Sequence, residues 1–324
     1  MTKNIAVVCG GNPGEYEISI GSANVVSKNL DNKKYIGYQI VIKGSDWYYE
    51  KDGSKYPVDK NDFSLNLDGE KVIFDGVFNA IHGTPGEDGK LQGYFDMIGI
   101  PYTSANHATS GLTFNKHFCN RFVNSYGIKS ANSLSFTVKD KVEKEEVIKS
   151  LGLPLFVKPA ESGSSVGISK VNSETEFDEA VKNAFVEGER ILIEEFIKGR
   201  EIACGLINKR NELIVFPLTE IVSKKDFFDY EAKYTAGLAD EITPAEVTEE
   251  VEQDIKTLST FLFREMDCKG FVRFDYILTE NDFYFLEVNT IPGISEASIM
   301  PQMAKAYGMS IGDFFSIALD NLFA

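Results

Sequence analysis

Four polar side chains on two short apolar stretches are the first sign of chemistry in this sequence. Gly270-Phe271-Val272-Arg273-Phe274-Asp275-Tyr276 and Phe285-Leu286-Glu287-Val288-Asn289 both read as strands. Side chains alternate faces along a strand, so Arg273 and Asp275 share one face, and Glu287 and Asn289 share one face of the next. The polar Thr279-Glu280-Asn281-Asp282 stretch predicts a turn that makes the two strands antiparallel neighbours. Two carboxylates, an amide and an arginine then converge on one patch between aliphatic and aromatic residues. Oxygen donors of this kind suit Mg²⁺, which takes one or two carboxylates and fills its remaining positions with phosphate and water. A solvated sheet face carrying an Arg–Asp cross-strand pair is the competing reading of the same residues.

Other segments carry weaker signals. Lys158 ends the apolar run Leu155–Pro159, from where it can project a point charge toward phosphate. The small-residue loop Ser162-Gly163-Ser164-Ser165-Val166-Gly167 follows it and offers backbone N–H groups at close range; a flexible hairpin tip would have the same composition. Lys116 and His117 read by themselves as surface residues of a helix. Lys233 and Tyr234 lie in Phe228–Tyr234, within a long aperiodic stretch of the kind that serves as a lid in compact domains. Disorder is its competitor, though the aromatic content speaks against that. His82 is either a general base or a polar residue in a tight turn, and His107 is structural.

The elements that must position these groups follow from periodicity. Asn4–Cys9 is a buried strand, Glu15 to Leu30 a helix, Tyr35–Ile42 a strand, Trp47–Val58 a hairpin turning at Asp52-Gly53, and Val72–Asn79 a further strand. This order predicts a parallel sheet with crossover helices and with ligand loops at the carboxyl ends of its strands. Two loops leave such ends, Gly10–Glu15 and His82–Gly89, and neither is a Walker loop or a G-x-G-x-x-G turn. Farther on come a helix from Glu174 to Phe185, the strand Arg190–Glu195, and a long polar helix after Pro244 with Thr243 as its cap.

Composition narrows the function class. The chain has 324 residues, enough for two or three cores, with 43% hydrophobic and 25% charged residues as in ordinary globular proteins. A formal net charge of -16 argues against a nucleic-acid surface and for small-molecule substrates. The first apolar run is too short for a signal-peptide core, no segment approaches membrane-spanning length, and the four scattered cysteines read as reduced thiols of a cytoplasmic protein.

In order along the chain, these segments resemble the D-alanine–D-alanine ligase family of the ATP-grasp superfamily. The stretches that carry the likeness are Gly10–Ser19, His82–Gly93, Gly99–Thr103, Val157–Gly167, Tyr230–Tyr234, Gly270–Asp275 and Glu287–Gly293, and together they span nearly the whole chain. The resemblance implies an α/β ATP-grasp fold of three domains. Residues 1–104 would form an N-terminal, Rossmann-like parallel-sheet domain for substrate binding. Residues 105–203 and 204–324 would clasp ATP between two antiparallel sheets. It also implies phosphorylation of one D-alanine carboxylate by ATP, followed by attack of a second D-alanine's amine, in a cytoplasmic homodimer.

On that likeness Glu15 holds the first ammonium, and His82 neighbours the same substrate's carboxylate. Lys116, Lys158 and Lys233 neutralise phosphates, and Glu194, Glu195, Phe196 and Ile197 surround adenine while Glu201 binds ribose. Asp275, Glu287 and Asn289 hold two Mg²⁺ ions, which Mn²⁺ could replace. Arg273 and the Gly293 N–H form an oxyanion site. Ser164 and Tyr234 form a hydrogen-bonded group with Glu15, and Ser298 holds the second carboxylate. Two departures stand out. The central loop reads Glu161-Ser162-Gly163-Ser164 where the family often has Glu-Gly-Ser-Ser, so Glu161 is left without a role, and Phe196 replaces a larger aromatic. The rivals are a sister ligase using D-lactate or D-serine, another ATP-grasp carboxylate–amine ligase, and an inactive nucleotide-binding regulator.

Overall fold

The computed structural model describes residues 2–12, 14–163, 166–223 and 239–324, which build three sheets. The first contains β1 (Lys3–Gly10), β2 (Tyr35–Lys43), β3 (Asp46–Lys51), β4 (Ser54–Asp59), β5 (Ser64–Leu67), β6 (Glu70–Val72) and β7 (Gly76–Asn79), in the order β6-β5-β4-β3-β2-β1-β7. β1 is buried from Ile5 onward and takes β2 and β7 as parallel neighbours, as a continuous apolar run suggests. Helix α1 (Tyr16–Asn29) connects β1 to β2. The remaining strands are added antiparallel, so the expected parallel sheet is a mixed one. Connection length explains this, because Gly44-Ser45 and Asp52-Gly53 suffice for hairpins and are far too short for crossovers. Both Asp52 and Gly53 have positive φ, 52° and 76°, as a primed hairpin turn requires.

The strand expected over Val72–Asn79 is divided. β6 and β7 stand at opposite ends of the strand order, and residues 73–75 carry the chain between them. Four residue steps reach at most about 14 Å, whereas six strand spacings amount to about 29 Å. The sheet must therefore curl until its ends approach, and Phe63, Phe74, Val77 and Phe95 of helix α2 (Lys90–Ile98) fill the interior of the curl.

Helices α3 (His107–Phe114) and α4 (Lys116–Ser125) lead to the second sheet, β8 (Ser133–Thr137), β9 (Leu155–Pro159), β10 (Ser169–Val171) and β11 (Arg190–Glu195), antiparallel throughout in the order β10-β9-β11-β8. Helices α5 (Lys144–Leu151) and α6 (Phe177–Glu187) bury Val147, Phe177 and Ala184 against Leu155, Val157, Ile191 and Ile193 on one face. The alternate residues Phe156, Lys158, Leu192 and Glu194 therefore point to the other face.

The third sheet holds β12 (Arg200–Lys209), β13 (Glu212–Val215), β14 (Thr219–Ser223), β15 (Ala239–Ile242), β16 (Phe271–Leu278) and β17 (Phe283–Asn289), in the order β15-β14-β12-β16-β17 with β13 paired to β12. Helix α7 (Glu249–Glu265) covers one face through Ile255, Leu262 and Phe263. Its cap is Thr248, whose hydroxyl accepts the Val251 N–H at 3.3 Å, and not Thr243. The Thr243 hydroxyl is taken by Thr219 at 2.6 Å, and the helix begins only after Thr248. Helices α8 (Ile299–Ala306) and α9 (Ile311–Asp320) join this sheet to the first, packing Met300, Met303, Phe314 and Phe315 with Ile5, Val7 and Phe78 in one core. All four cysteines are buried, and burial pushes the thiols of Cys9, Cys119 and Cys204 up to about 12. No helix among the described residues is long and apolar enough to cross a membrane.

Candidate active site

β16 and β17 pair as face alternation requires, with Arg273 opposite Asn289 and Asp275 opposite Glu287. The turn between them closes through the Thr279 hydroxyl, which donates to the Asp282 carbonyl at 2.8 Å. The register shifts after Asp275, so that Tyr276 faces Phe285 and Leu286 becomes the extra residue of a bulge. Glu287 thus stays on the cleft face while Phe285, two residues earlier, joins Tyr276 in the core, their ring centroids 6.2 Å apart. Bulges commonly re-aim side chains beside functional sites in this way.

The patch is dry. Asp275 is 1% exposed, and Arg273 grips both its oxygens, Nε to Oδ1 and Nη2 to Oδ2, each at 2.8 Å. The Asn289 amide adds a third donor to Oδ2 at 2.9 Å. The sequence left open a wet sheet face with a cross-strand pair; the pair exists, but within one strand and buried. Burial opposes the charge on Arg273, yet the adjoining Asp275 more than offsets it and lifts the guanidinium above its ordinary value. A carboxylate offers about four lone-pair positions and a guanidinium five N–H donors. Asp275 is thus an oxygen donor tied into a fixed geometry, with the donor-rich guanidinium of Arg273 beside it.

Glu287 of this patch lines a cleft of about 390 Å³ whose other wall belongs to the second sheet. Lys158 lies on the inner face of β9, and its ammonium meets Glu194 Oε2 at 2.5 Å, with both side chains under a tenth exposed. Asn120 of α4 donates to the second Glu194 oxygen at 2.9 Å. Lys116 opens α4 after the cap Asn115 and donates to the Ser162 carbonyl at 2.7 Å, so it spans from the helix to the small-residue loop. Glu161, which carried no role in the sequence reading, accepts from Asn115 at 2.6 Å. Between the two sheets runs Glu195–Ile197. Glu195 accepts from the Asn132 backbone and amide at 2.9 Å, and the Phe196 ring lies 6.0 Å from that of Phe156 with the Lys170 ammonium 4.5 Å over it. Lys116, Lys158, Glu194, Glu195, Phe196, Ile197, Glu201 and Glu287 all line this one cleft.

A small recess of about 40 Å³ continues from it past Lys116, Glu287 and Asn289 to Gly163 and Glu87. Glu15 is buried where these loops meet. A Cβ on Gly83 would lie 2.0 Å from one of its oxygens, and a Cβ on Gly163 2.7 Å from both, so a side chain at either position would displace the Glu15 carboxylate. Glu87 went unremarked in the sequence reading, although it sits inside the His82–Gly89 motif. It accepts the Gly83 N–H at 2.9 Å, and burial, then the charge of Glu15, pushes its carboxyl up to about 8. His82 bonds the Ile291 carbonyl through Nδ1 at 3.0 Å and Ser22 through Nε2 at 2.9 Å. A carbonyl only accepts, so Nδ1 carries the proton; burial lowers the imidazole to about 4 and keeps it neutral.

His82 thereby ties the first sheet to the loop after β17, where a Cβ on Gly293 would lie 2.9 Å from Ser298 Oγ. Ser298 is the cap residue of α8 but makes no cap bond; its hydroxyl meets Ser295 Oγ at 2.7 Å. His82, Gly293 and Ser298 form this neighbouring cluster and do not line the cleft itself. Ser164, Lys233 and Tyr234 lie outside the described residues. No group of three or more His, Cys, Asp or Glu among the described residues forms a metal cage. Asp275, Glu287 and Asn289 instead offer the sparse oxygen set that suits a cation sharing its coordination with phosphate and water.

Comparison with known proteins agrees with this geometry. Residues 4–105 match the family model described as D-ala D-ala ligase N-terminus, and residues 122–319 match that of the D-ala D-ala ligase C-terminus. The D-alanine–D-alanine ligase of Flavobacterium johnsoniae is 47% identical over 98% of each chain. Among solved structures, D-alanyl-alanine synthetase A of Vibrio cholerae superposes with a TM-score of 0.90 at 29% identity, covering 100% of this chain and 99% of that one. The VanG D-Ala:D-Ser ligase of Enterococcus faecalis gives 0.87 at 32% identity, covering 99% and 100%.

Proposed function

The chain belongs to the D-alanine–D-alanine ligase family, and from that premise we propose that it joins the carboxylate of one D-alanine to the amine of a second, using ATP and a divalent metal. The product is the dipeptide of cell-wall precursor synthesis. The observation that supports this most directly is the opposition of charge across one cleft. Glu287 lines one wall, with Asn289 in the adjoining recess and Asp275 opposite Glu287 in the ladder, and Lys116 and Lys158 line the other. Phosphoryl transfer asks for little besides positioning and charge stabilisation, which such a pair of walls provides.

In this reading Glu15 holds the first ammonium at the meeting of the two glycine loops, with His82 beside the carboxylate of the same substrate. Lys116, Lys158 and Lys233 bind phosphate oxygens, Glu194 to Ile197 border the adenine, and Glu201 takes the ribose. Asp275, Glu287 and Asn289 would hold two Mg²⁺ ions, with Mn²⁺ a possible substitute; when bound, these neutralise phosphate charge. Arg273 and the Gly293 N–H receive the oxyanion formed when the second amine attacks the acyl phosphate. Ser298 binds the second carboxylate, and Ser164 and Tyr234 complete the group around Glu15. The division at residues 104 and 203, a cytoplasmic location and a homodimer belong to the same proposal, resting on the family likeness and, for location, on the buried thiols.

The decisive experiment follows phosphate release by purified protein with ATP, Mg²⁺ and D-alanine, using L-alanine, D-serine and D-lactate as controls. Release with D-alanine and not L-alanine is expected. No D-alanine-dependent release would overturn the reading.

A further inference from the structure

The ligand face of the third sheet carries one more acid. Glu241 of β15 stands opposite Ile221 of β14, Ile221 opposite Glu201 of β12, and Glu201 opposite Ile277 of β16. Residues directly opposite in an antiparallel ladder point to the same face. Glu241 therefore shares a face with Glu201, Arg273 and Asp275, at the edge away from Glu287. Gly205, opposite Arg273, lies on that face too, and α8 rests on it. A Cβ on Gly205 would come within 2.7 Å of the sulfurs of Met300 and Met303. The first turn of α8 is thereby brought over the sheet beside Arg273.

Gln302 of α8 links the two features. Its amide donates to Glu241 and, at 2.8 Å, to the Ala297 carbonyl, while its backbone N–H bonds the Ser298 carbonyl at 3.2 Å. Glu241 is thus tied through Gln302 to the helical turn that begins at Ser298, the hydroxyl given above to the second substrate's carboxylate. Burial raises the Glu241 carboxyl above its ordinary value, while the Gln302 bond and the Arg273 charge work the other way.

Resting on the ligase reading above, we propose that Glu241 receives the ammonium group of the second amino acid, whose surplus protons leave with the displaced phosphate as the amine attacks, and that it makes the site select an amine over a hydroxyl as nucleophile. A free amino acid arrives as a zwitterion and needs an acid for one end and donors for the other. Ser298 and the backbone at the start of α8 supply the donors, and Glu241 supplies the acid at the other end of the Gln302 bridge. Asp275 is occupied by Arg273 and Asn289, and Glu15 lies at the far loops. A 2-hydroxy acid offers that carboxylate only a neutral hydroxyl, whereas an ammonium makes the shorter and stronger charge-assisted bond.

The test is Glu241→Gln, which keeps shape and the Gln302 contact while removing charge. Initial rates are resolved into separate first- and second-site KM values for D-alanine, and labelled products are compared with D-alanine and D-lactate in competition. The expected result is a second-site KM raised about tenfold to hundredfold, with first-site and ATP KM values within about twofold, as loss of one charge-assisted bond implies. The share of D-lactate in the product should rise, and Glu241→Asp should restore part of the selectivity. Unchanged second-site KM and selectivity would overturn the inference. A common rise of all KM values with a lowered Tm would also overturn it, marking Glu241 as structural. Wild-type protein without D-alanine-dependent phosphate release would sink the ligase reading and the inference together; active wild type with an indistinguishable variant sinks the inference alone.

Discussion

The third-sheet wall of the cleft mounts its acids on strands, whereas the opposite wall delivers its bases from a strand end and a helix start. On the strand side, Arg273, Asp275 and Asn289 form a closed network on two adjacent strands, set by the ladder and a bulge. On the other side, Lys158 and Asn120 both bond Glu194, and Lys116 reaches the Ser162 carbonyl, so separate elements must meet. The first arrangement fixes geometry within one supersecondary unit. The second depends on contacts between elements remote in sequence. A metal on the strand wall and phosphates on the opposite wall would use each kind of support where it is needed.

Substitutions can break or sharpen that contrast. Asp275→Ala strands a buried guanidinium and should lower unfolding free energy by about 3–5 kcal/mol in urea titrations. A loss under about 1 kcal/mol would mean that the network does not depend on its acid. Glu287→Gln should leave Tm unchanged while reducing D-alanine-dependent phosphate release by about 10²–10³-fold, the scale of one lost transition-state contact; retained turnover would remove Glu287 from the metal site.

Protonation offers a third probe. The His82 imidazole falls from 6.5 to about 4 on folding, so its stabilising contribution is present above pH 6.5 and is lost as pH drops toward 4. That amounts to about 3 kcal/mol, and His82→Gln should flatten the acid limb of stability by a similar amount. Glu87, in the same loop, has the opposite sense. Its carboxyl rises from 4.5 to about 8, so its contribution is present below pH 4.5 and lost as pH rises through 8. Glu87→Gln should flatten the alkaline limb, and an unchanged profile would refute that assignment.

The opposite wall should give smaller effects. Lys158→Ala still leaves Glu194 its Asn120 donor, so the expected loss is about 1–3 kcal/mol. Asn120→Ala should cost about 1 kcal/mol, with a modest rise in ATP KM. If Lys158→Ala destabilises as much as Asp275→Ala, the two walls are equally rigid and the contrast fails.

Much of the fold was legible from local pattern. The apolar run Asn4–Cys9, the Asp52-Gly53 turn and the β16/β17 pair all declare themselves through period and turn chemistry, because these are properties of neighbours in sequence. The limits are equally specific. Val72–Asn79 reads as one strand because nothing local shows that the sheet curls shut there. Thr243 reads as a cap because Thr219, which takes its hydroxyl, is remote in sequence. Glu87 lay inside a motif already in view, yet its raised carboxyl depends on burial and on Glu15.

The amino-acid sequence by itself determined the family, the chemistry-bearing residue types and the common face of Arg273 and Asp275, since each is encoded in order and spacing along one chain. Only the tertiary structure decided which of those groups answer one another. The Arg273–Asp275–Asn289 network, the Lys158–Glu194 pair, the neutral His82 bridging two sheets and the seat of Glu241 beside α8 all join residues from different elements. Such pairings depend on burial and on distances across the core, quantities that the folded chain sets and that periodicity along a single strand or helix does not contain.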